Sequence, residues 1–240
     1  MIKKSINQND SLDLELLNCI DYNYIFNHKP INRLKNKTNN LKIHNKNKIQ
    51  EIESLKLEIN SIKDCKLKEN ASQIVFGSNN IHSPLMIIGE APSKKDDQLG
   101  KPFVGEDGLL LEKMLLAIDI KKENTYLTYV VNYRPPNDRK PTTYEIKKYS
   151  IFLKKHIIII NPKIIILMGS TAMEALTGLN SKISLERGKW KEIIVKNTNY
   201  NVIITFDPSY LLRVPENKKH SWNDLKKIKQ KINELNLNIS

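Results

Sequence analysis

Cysteine is almost absent from this chain, whose 240 residues include only Cys19 and Cys65. Two thiols are too few for the disulfide framework of a small secreted protein and too few for a cluster held by four thiolates. The chain also lacks an apolar run of the roughly 20 residues that cross a bilayer, and its first residues lead into polar sequence rather than a signal-peptide core. These absences predict a cytoplasmic protein with reduced thiols.

Acidic residues are scarce relative to basic ones. Lys and Arg number 39 against 26 Asp and Glu, which gives a formal net charge of +13. A charge of this sign and size favours a polyanionic partner, because each phosphate contact releases condensed counterions. Nucleic acid and an anionic membrane surface both fit. Solvated lysines that reflect a compositional bias towards Lys, Asn and Ile are the alternative.

The N-terminal part of the chain is predicted to be a helical extension, residues 1–64. Its elements are an amphipathic helix over Asp10–Phe26, an Asn/Lys-rich linker over Asn32–Asn47, and a second helix over Ile49–Ile62. The remaining residues, 65–240, are long enough to bury one full-sized core and are predicted to form the main domain.

In the main domain, apolar runs alternate with helical patterns, which is typical of a parallel sheet with crossover helices. The predicted strands are Leu85–Gly89, Tyr126–Val131, Lys163–Met168 and Val202–Phe206. The predicted helices are Gly108–Ile118, Thr143–Ile159, Thr171–Leu176 and Ser221–Leu235. Right-handed crossovers place helices on both faces, so the expected fold class is α/β, a three-layer α/β/α sandwich around a four-stranded parallel sheet.

Candidate functional residues follow the ends of these strands, where ligands of open α/β sheets bind. The first strand leads to Glu90 and then to Phe103, although a tight turn and a core phenylalanine would give the same pattern. The second leads to a proline-stiffened loop with Arg134 and Arg139, whose guanidinium groups suit phosphate contacts or simply a solvated surface turn.

The other two strand ends also carry polar residues. After the third strand, a glycine turn into a helix brings Ser170, which suits a phosphate contact or a plain N-cap. The fourth leads to Asp207, Ser209, Leu211 and Arg213. Leucines beside polar groups suit a wedge into a nucleic-acid groove, whereas a helix N-terminus capped by Asp207 with buried leucines is the alternative.

Four motifs at these strand ends resemble the uracil-DNA glycosylase superfamily. They are Gly-Glu-Ala-Pro, Gly-Lys-Pro-Phe-Val-Gly, Arg-Pro-Pro-x-x-Arg-x-Pro and Pro-Ser-Tyr-Leu-Leu-Arg, in this order between about Cys65 and the C-terminal helix. The chain is most similar to family 4 and to related bacterial proteins of a phage-type DNA-polymerase-related branch. The resemblance implies removal of uracil from DNA by breaking the N-glycosidic bond, the first step of base-excision repair.

The resemblance also implies roles for individual residues. A base inside a duplex must be extruded into a pocket before it can react. Phe103 would stack on the everted base, and Glu90, with the backbone of Gly89 and Ala91, would bound the pocket and place the attacking water. Leu211 or Leu212 would fill the gap in the stack, while the side chains of Ser170, Ser209 and Arg213 would hold neighbouring phosphates.

This chain departs from the family pattern in the pocket. Tyr129 stands where the family has an asparagine that reads uracil, so either Tyr129 swings away, Asn132 substitutes, or discrimination changes. Asp207 stands where the family has a histidine that donates to the leaving base. Glu90 and Asp207 are still the predicted catalytic residues, provided that Asp207 is protonated or turned towards its helix.

The family's iron–sulfur cluster is predicted to be missing. Family 4 enzymes hold a four-iron, four-sulfur cluster with four cysteines, whereas here only Cys65 falls near a ligand position. Tyr133 and Tyr149 stand where later thiolates are expected. We therefore predict no cofactor and no metal.

Two functions fit these residues best. One is a DNA glycosylase that acts on uracil or another damaged base, and the other is a catalytically silent DNA-binding relative that acts in a repair or polymerase complex. A small-molecule enzyme that acts on a nucleotide, through Glu90 and the Gly169-Ser170 turn, is a third and weaker alternative. In the favoured function, the partner is DNA, the protein is a monomer, and no membrane is involved.

Overall fold

The computed structural model describes residues 37–63 and 65–239, with side chains from residue 47 onwards. The predicted helix over Asp10–Phe26 lies outside the described residues, as does Cys19. The chain divides into two units, Met1–His44 and Asn45–Ser240, and the description below concerns the second.

A six-stranded sheet forms the centre of this unit. Its strands are β1 (Ser78–Asn79), β2 (Leu85–Gly89), β3 (Tyr126–Tyr129), β4 (Ile164–Met168), β5 (Trp190–Val195) and β6 (Thr198–Thr205), in the spatial order β1-β3-β2-β4-β6-β5. The four inner strands are parallel, and the two edge strands are antiparallel to their neighbours. The carboxyl ends of the inner strands therefore meet along one edge.

Nine α-helices of the described residues connect and cover these strands. They are α1 (Lys37–Asn60), α2 (Lys66–Asn70), α3 (Lys94–Leu99), α4 (Glu106–Leu116), α5 (Thr143–Ile160), α6 (Ser170–Thr177), α7 (Ile183–Glu186), α8 (Pro208–Arg213) and α9 (Lys218–Glu234). Short 3-10 turns lie at Lys122–Asn124, Pro136–Asp138 and Pro215–Asn217. Two of these helices begin with a capping box, in which Ser93 is the N-cap of α3 and Thr142 is the N-cap of α5.

Side chains of the sheet alternate between two separate cores. Met86 and Ile88 of β2 pack into the core under α1, α2, α5 and α6, whereas Leu85 and Ile87 pack into the core under α4, α8 and α9. All five residues of β4 are buried. Full burial of each such aliphatic side chain stabilises the fold by about 1.5–3 kcal/mol, so both faces of the sheet need a helical layer. The prediction of a three-layer α/β/α sandwich is confirmed.

The predicted four-stranded parallel sheet is the inner part of the observed one. The four predicted strands are present within a few residues of their expected bounds, and the four predicted helices of the main domain are present as α4, α5, α6 and α9. The edge strands β1 and β5 were not predicted. Neither is a continuous apolar run, because β1 has only two residues and β5 alternates exposed and less exposed positions.

The N-terminal part differs from the prediction in one respect. Residues 37–47 of the predicted linker are helical and belong to α1, which begins well before the expected start at Ile49, while residues 32–36 lie outside the described residues. The helical segment contains neither Pro nor Gly to interrupt it. Leu55 and Ile59 anchor its C-terminal half in the core.

No helix within residues 37–63 and 65–239 combines the length and the apolar character needed to cross a membrane.

Candidate active site

Two adjoining hollows lie at the carboxyl edge of the parallel strands. The first, of about 350 Å³, runs along α6, α7 and α8, and the second, of about 170 Å³, lies between the loops after β2 and β3. Both are lined by Glu90, Lys140, Asp207, Ser209 and Arg213. The structure therefore brings together the two predicted catalytic carboxyl groups. Glu90 belongs to the first of the four sequence motifs, and Asp207 directly precedes the last.

Glu90 is held in place from the N-terminus of α6. Its Oε1 accepts hydrogen bonds from the Thr171 amide, at 2.9 Å, and from Ser170 Oγ, at 3.2 Å. Glycine at position 169 permits this approach, because a Cβ there would overlap the Glu90 carboxyl group. The φ of Gly169, +95°, is also one that residues with a side chain rarely adopt. Lys140 Nζ lies 3.8 Å from Oε1 and completes the surroundings of a fixed carboxylate.

Asp207 is buried at the start of α8 and caps that helix. Its Oδ1 accepts from the Ser209 amide, at 2.9 Å, and from Ser209 Oγ, at 2.6 Å. Burial raises the pKa of Asp207 to about 7, and the nearby charge of Glu90 adds to this, although the bonds from Ser209 oppose it. The raised pKa of Asp207 favours its neutral form, and the cap turns Oδ1 towards the helix, so both arrangements that the sequence allowed are present.

Phe103 lies deeper than predicted. Its side chain is 1% exposed and lines neither hollow, whereas Tyr129 lines the second hollow. The two ring centroids are 4.7 Å apart with the planes tilted by 33°. In this arrangement Phe103 has no free face for the base stacking predicted for it, because its ring is buried against that of Tyr129.

Tyr129 is held by a residue that sequence reasoning missed, the buried Asp96. Tyr129 Oη donates to Asp96 Oδ2, at 2.9 Å, and accepts from the Phe103 amide, at 3.1 Å. Burial raises the pKa of Tyr129 well above its ordinary value, and the carboxylate of Asp96 raises it further. Asp107 also lines the second hollow. Burial is the main cause that raises the pKa of Asp107, and the negative charge of Asp96 raises it further.

The amide of Asn132 does not reach the hollows. Asn132 is buried, its Nδ2 donates to the Val75 carbonyl at 3.1 Å, and its backbone carbonyl accepts from the Val75 amide at 2.8 Å. These bonds tie the end of β3 to the segment before β1. Asn132 therefore does not substitute for the family asparagine.

The two arginines predicted to contact phosphate both form internal ion pairs. Arg134 makes a two-point contact with Asp138, at 2.6 and 2.9 Å, and Arg139 makes one with Glu145, at 2.8 and 2.7 Å. Each pair lowers the pKa of its carboxyl group below the ordinary range. Only Arg139 of the two lines a hollow, the second.

Other cations line the first hollow instead. Lys140, Lys182 and Arg213 surround it, and Lys140 Nζ donates to Ser170 Oγ at 2.9 Å. Within the described part of the chain, the side chains of Lys182 and Arg213 make no hydrogen bond or ion pair with a neighbour. Lys140 lies inside the motif that contains Arg134 and Arg139, but only the two arginines of that motif were predicted to bind DNA. Nothing in the sequence around Lys182 marks it as a functional residue.

The predicted leucine wedge needs a correction. Leu211 is 1% exposed and packs into the core under α4, α8 and α9, while Leu212 is 40% exposed. One turn of α8 cannot present both neighbours to the same side, since successive residues of a helix point about 100° apart. Leu212 is therefore the leucine that is available at the surface.

A profile of the uracil DNA glycosylase superfamily matches residues 76–226, which include both hollows. This chain belongs to that superfamily. A type-4 uracil-DNA glycosylase of Thermotoga maritima is 37% identical to it over 154 residues, which cover 64% of this chain and 79% of the relative. Another, of Archaeoglobus fulgidus, is 32% identical over 184 residues, covering 75% and 92%. A DNA polymerase of Bacillus phage SP01 is 32% identical over 128 residues, which cover 53% of this chain but 14% of the polymerase.

The type-4 relatives contradict the prediction that this protein has no cofactor. The resemblance to family 4 implies a four-iron, four-sulfur cluster, and the similarity extends over most of these relatives' length. That prediction is therefore wrong.

The described residues nevertheless do not fit such a cluster. Cys65 is buried, and its Sγ lies 3.3 Å from Tyr149 Oη, while Tyr133 Oη donates to Asn60 at 2.6 Å. No three His, Cys, Asp or Glu side chains are grouped as metal ligands in the described ranges. Four thiolates are needed, and the whole chain has two.

Proposed function

We propose that this glycosylase-superfamily protein removes uracil from DNA by hydrolysing the N-glycosidic bond, which leaves an abasic site for base-excision repair. One observation carries the proposal: Glu90 and Asp207, from two separate strand ends, line the same pair of hollows. Relatives named type-4 uracil-DNA glycosylase, at 32–37% identity, support the assignment of the substrate.

The reaction needs a nucleophile on one side of the sugar and a stabilised leaving group on the other. The bond between C1′ and the base nitrogen breaks and its electron pair leaves with uracil, while a water oxygen bonds to C1′. Glu90 is suited to orient that water and take its proton, because the Thr171 amide and Ser170 Oγ fix the carboxylate.

Asp207 in its neutral form is suited to assist the leaving base. Its Oδ1 is engaged by Ser209, and no hydrogen bond among the described residues involves Oδ2. A protonated Oδ2 donates to a uracil carbonyl oxygen as negative charge develops there, as the family histidine would. The ionised form would oppose that charge, so we expect activity to decline as the pH rises through about 7.

The first hollow is suited to the DNA backbone. Lys140, Lys182 and Arg213 supply positive charge around it, and Ser170 and Ser209 supply hydroxyl groups. Leu212, exposed at the end of α8, lies next to Arg213 and is the candidate for insertion into the base stack.

We also propose that residues 65–240 form the glycosylase domain, with 1–64 as an extension, and that the chain belongs to the phage-type DNA-polymerase-related branch. The profile match at 76–226 supports the first statement. The partial similarity to a phage DNA polymerase supports the second.

A strand-nicking assay tests the function. Single- and double-stranded oligonucleotides with one uracil are incubated with wild type, then treated with alkali to cut at abasic sites. We expect cutting by wild type, a loss of about 10²-fold or more in Glu90→Gln, and no change in Glu112→Gln, an exposed glutamate outside the hollows. Absence of cutting by wild type on both substrates would refute the proposal.

A further inference from the structure

The rings of Phe103 and Tyr129 fill the space beside the end of β2. Both side chains are almost fully buried, at 1% and 3% exposure. The packing is tight enough that a Cβ on Gly89 would lie 2.6 Å from Phe103 Cζ and 2.7 Å from Tyr129 Cε1. No room remains between these rings and the strand for a second planar group.

Asp96 fixes Tyr129 in this position. The carboxylate is fully buried and accepts from the Ser93 amide and Ser93 Oγ, at 2.9 and 2.7 Å, and from the Val104 amide, at 2.9 Å. Tyr129 Oη is a further donor to it. Displacing the ring would remove this bond and leave the Phe103 amide without its acceptor, so the closed arrangement is favoured.

Tyr129 is one of the residues that line the second hollow, which is small. Its volume of about 170 Å³ falls below the roughly 300 Å³ at which ordinary small-molecule pockets begin. The Tyr129 hydroxyl both donates and accepts within the protein, so Tyr129 limits the size of the hollow and does not offer a polar group that reads a base.

We propose that Tyr129, positioned by Asp96, is a specificity-determining residue that limits the site to a single-ring base. The inference rests on the proposed function and adds to it the size of the accepted base. Uracil fits beside Tyr129 in the second hollow, and the fused double ring of hypoxanthine, the deaminated form of adenine, is excluded by the same side chain.

The test compares release of hypoxanthine and of uracil from otherwise identical single-stranded oligonucleotides. Wild type is expected to favour uracil. Tyr129→Ala, and separately Tyr129→Val, are expected to raise the hypoxanthine-to-uracil rate ratio at least about tenfold, because removal of a pocket wall changes discrimination by that order. Tyr129→Phe keeps the ring and is expected to leave the ratio within about twofold. Tyr144→Ala, which removes an exposed tyrosine, is the control.

The ratio separates specificity from stability, because partial unfolding lowers both rates equally. An unchanged ratio in Tyr129→Ala and Tyr129→Val, or equal use of both bases by wild type, would overturn the inference while leaving uracil removal intact. Absence of uracil release by wild type and by every variant would overturn both proposals.

Discussion

Replacing Asp207 by asparagine should stabilise the protein at alkaline pH. In the folded protein, burial and Glu90 raise the pKa of Asp207 from 3.8 to about 7, so folding favours the neutral form. The stability that this preference contributes is complete below pH 3.8 and is lost as the pH rises through about 7. The displacement corresponds to at most about 4 kcal/mol, at 1.36 kcal/mol for each pKa unit. Asparagine is neutral at every pH, and its side-chain oxygen still accepts from the Ser209 amide.

Urea unfolding of wild type and Asp207→Asn between pH 5 and pH 9 measures this effect. The free energy of unfolding of the variant relative to wild type should rise by at most about 3 kcal/mol across this range, because only wild type ionises and part of its loss already occurs below pH 5. Asp119→Asn, which changes a highly exposed carboxylate, serves as the matched control and should show no such rise. A constant difference between Asp207→Asn and wild type across the range would refute the burial argument.

Two further predictions concern DNA binding and the core. Lys140→Ala and Lys182→Ala should each reduce the slope of log affinity against log salt concentration by about 0.7–0.9, measured by fluorescence anisotropy with labelled DNA, whereas Arg134→Ala should reduce it less because that guanidinium is already paired. An equal effect of all three would contradict the assignment of the first hollow to phosphates. Leu211→Ala should lower the free energy of unfolding by about 2–5 kcal/mol, measured with urea, and Leu212→Ala should lower it far less while weakening binding to duplex DNA. The reverse order of the two leucines would contradict the orientation of α8.

The inner strands were predictable because their own residues indicate a strand, without knowledge of which strands they pair with. Every residue of β2 and β4 is buried, and a short apolar run bounded by turns indicates such a strand directly. A two-residue turn, Lys196 and Asn197, joins β5 to β6, with φ of +46° and +62°. Asparagine is one of the residues that favour such a hairpin turn, so the sequence contains a weak indication of this hairpin. The two-residue strand β1 had none, because only its pairing with β3 defines it.

Within the site, the predictable residues were those whose position follows from a strand end. Glu90 and Asp207 each follow an inner strand, and the carboxyl ends of parallel strands meet at one edge. The pairing of Arg134 with Asp138, four residues on, is a local spacing that could have been recognised. The bond between Tyr129 and Asp96 joins residues 33 positions apart, and no local pattern announces it. Its consequence, the covering of Phe103, is the main difference between the expected and the observed pocket.

The most direct test of the central claim is the release of free uracil from a uracil-containing oligonucleotide, detected by mass spectrometry at pH 6 and pH 8. The account predicts release by wild type, faster at pH 6 because Asp207 is then mostly neutral, and almost none by Glu90→Gln at either pH. Equal release by wild type and Glu90→Gln, or no release by either, would contradict it.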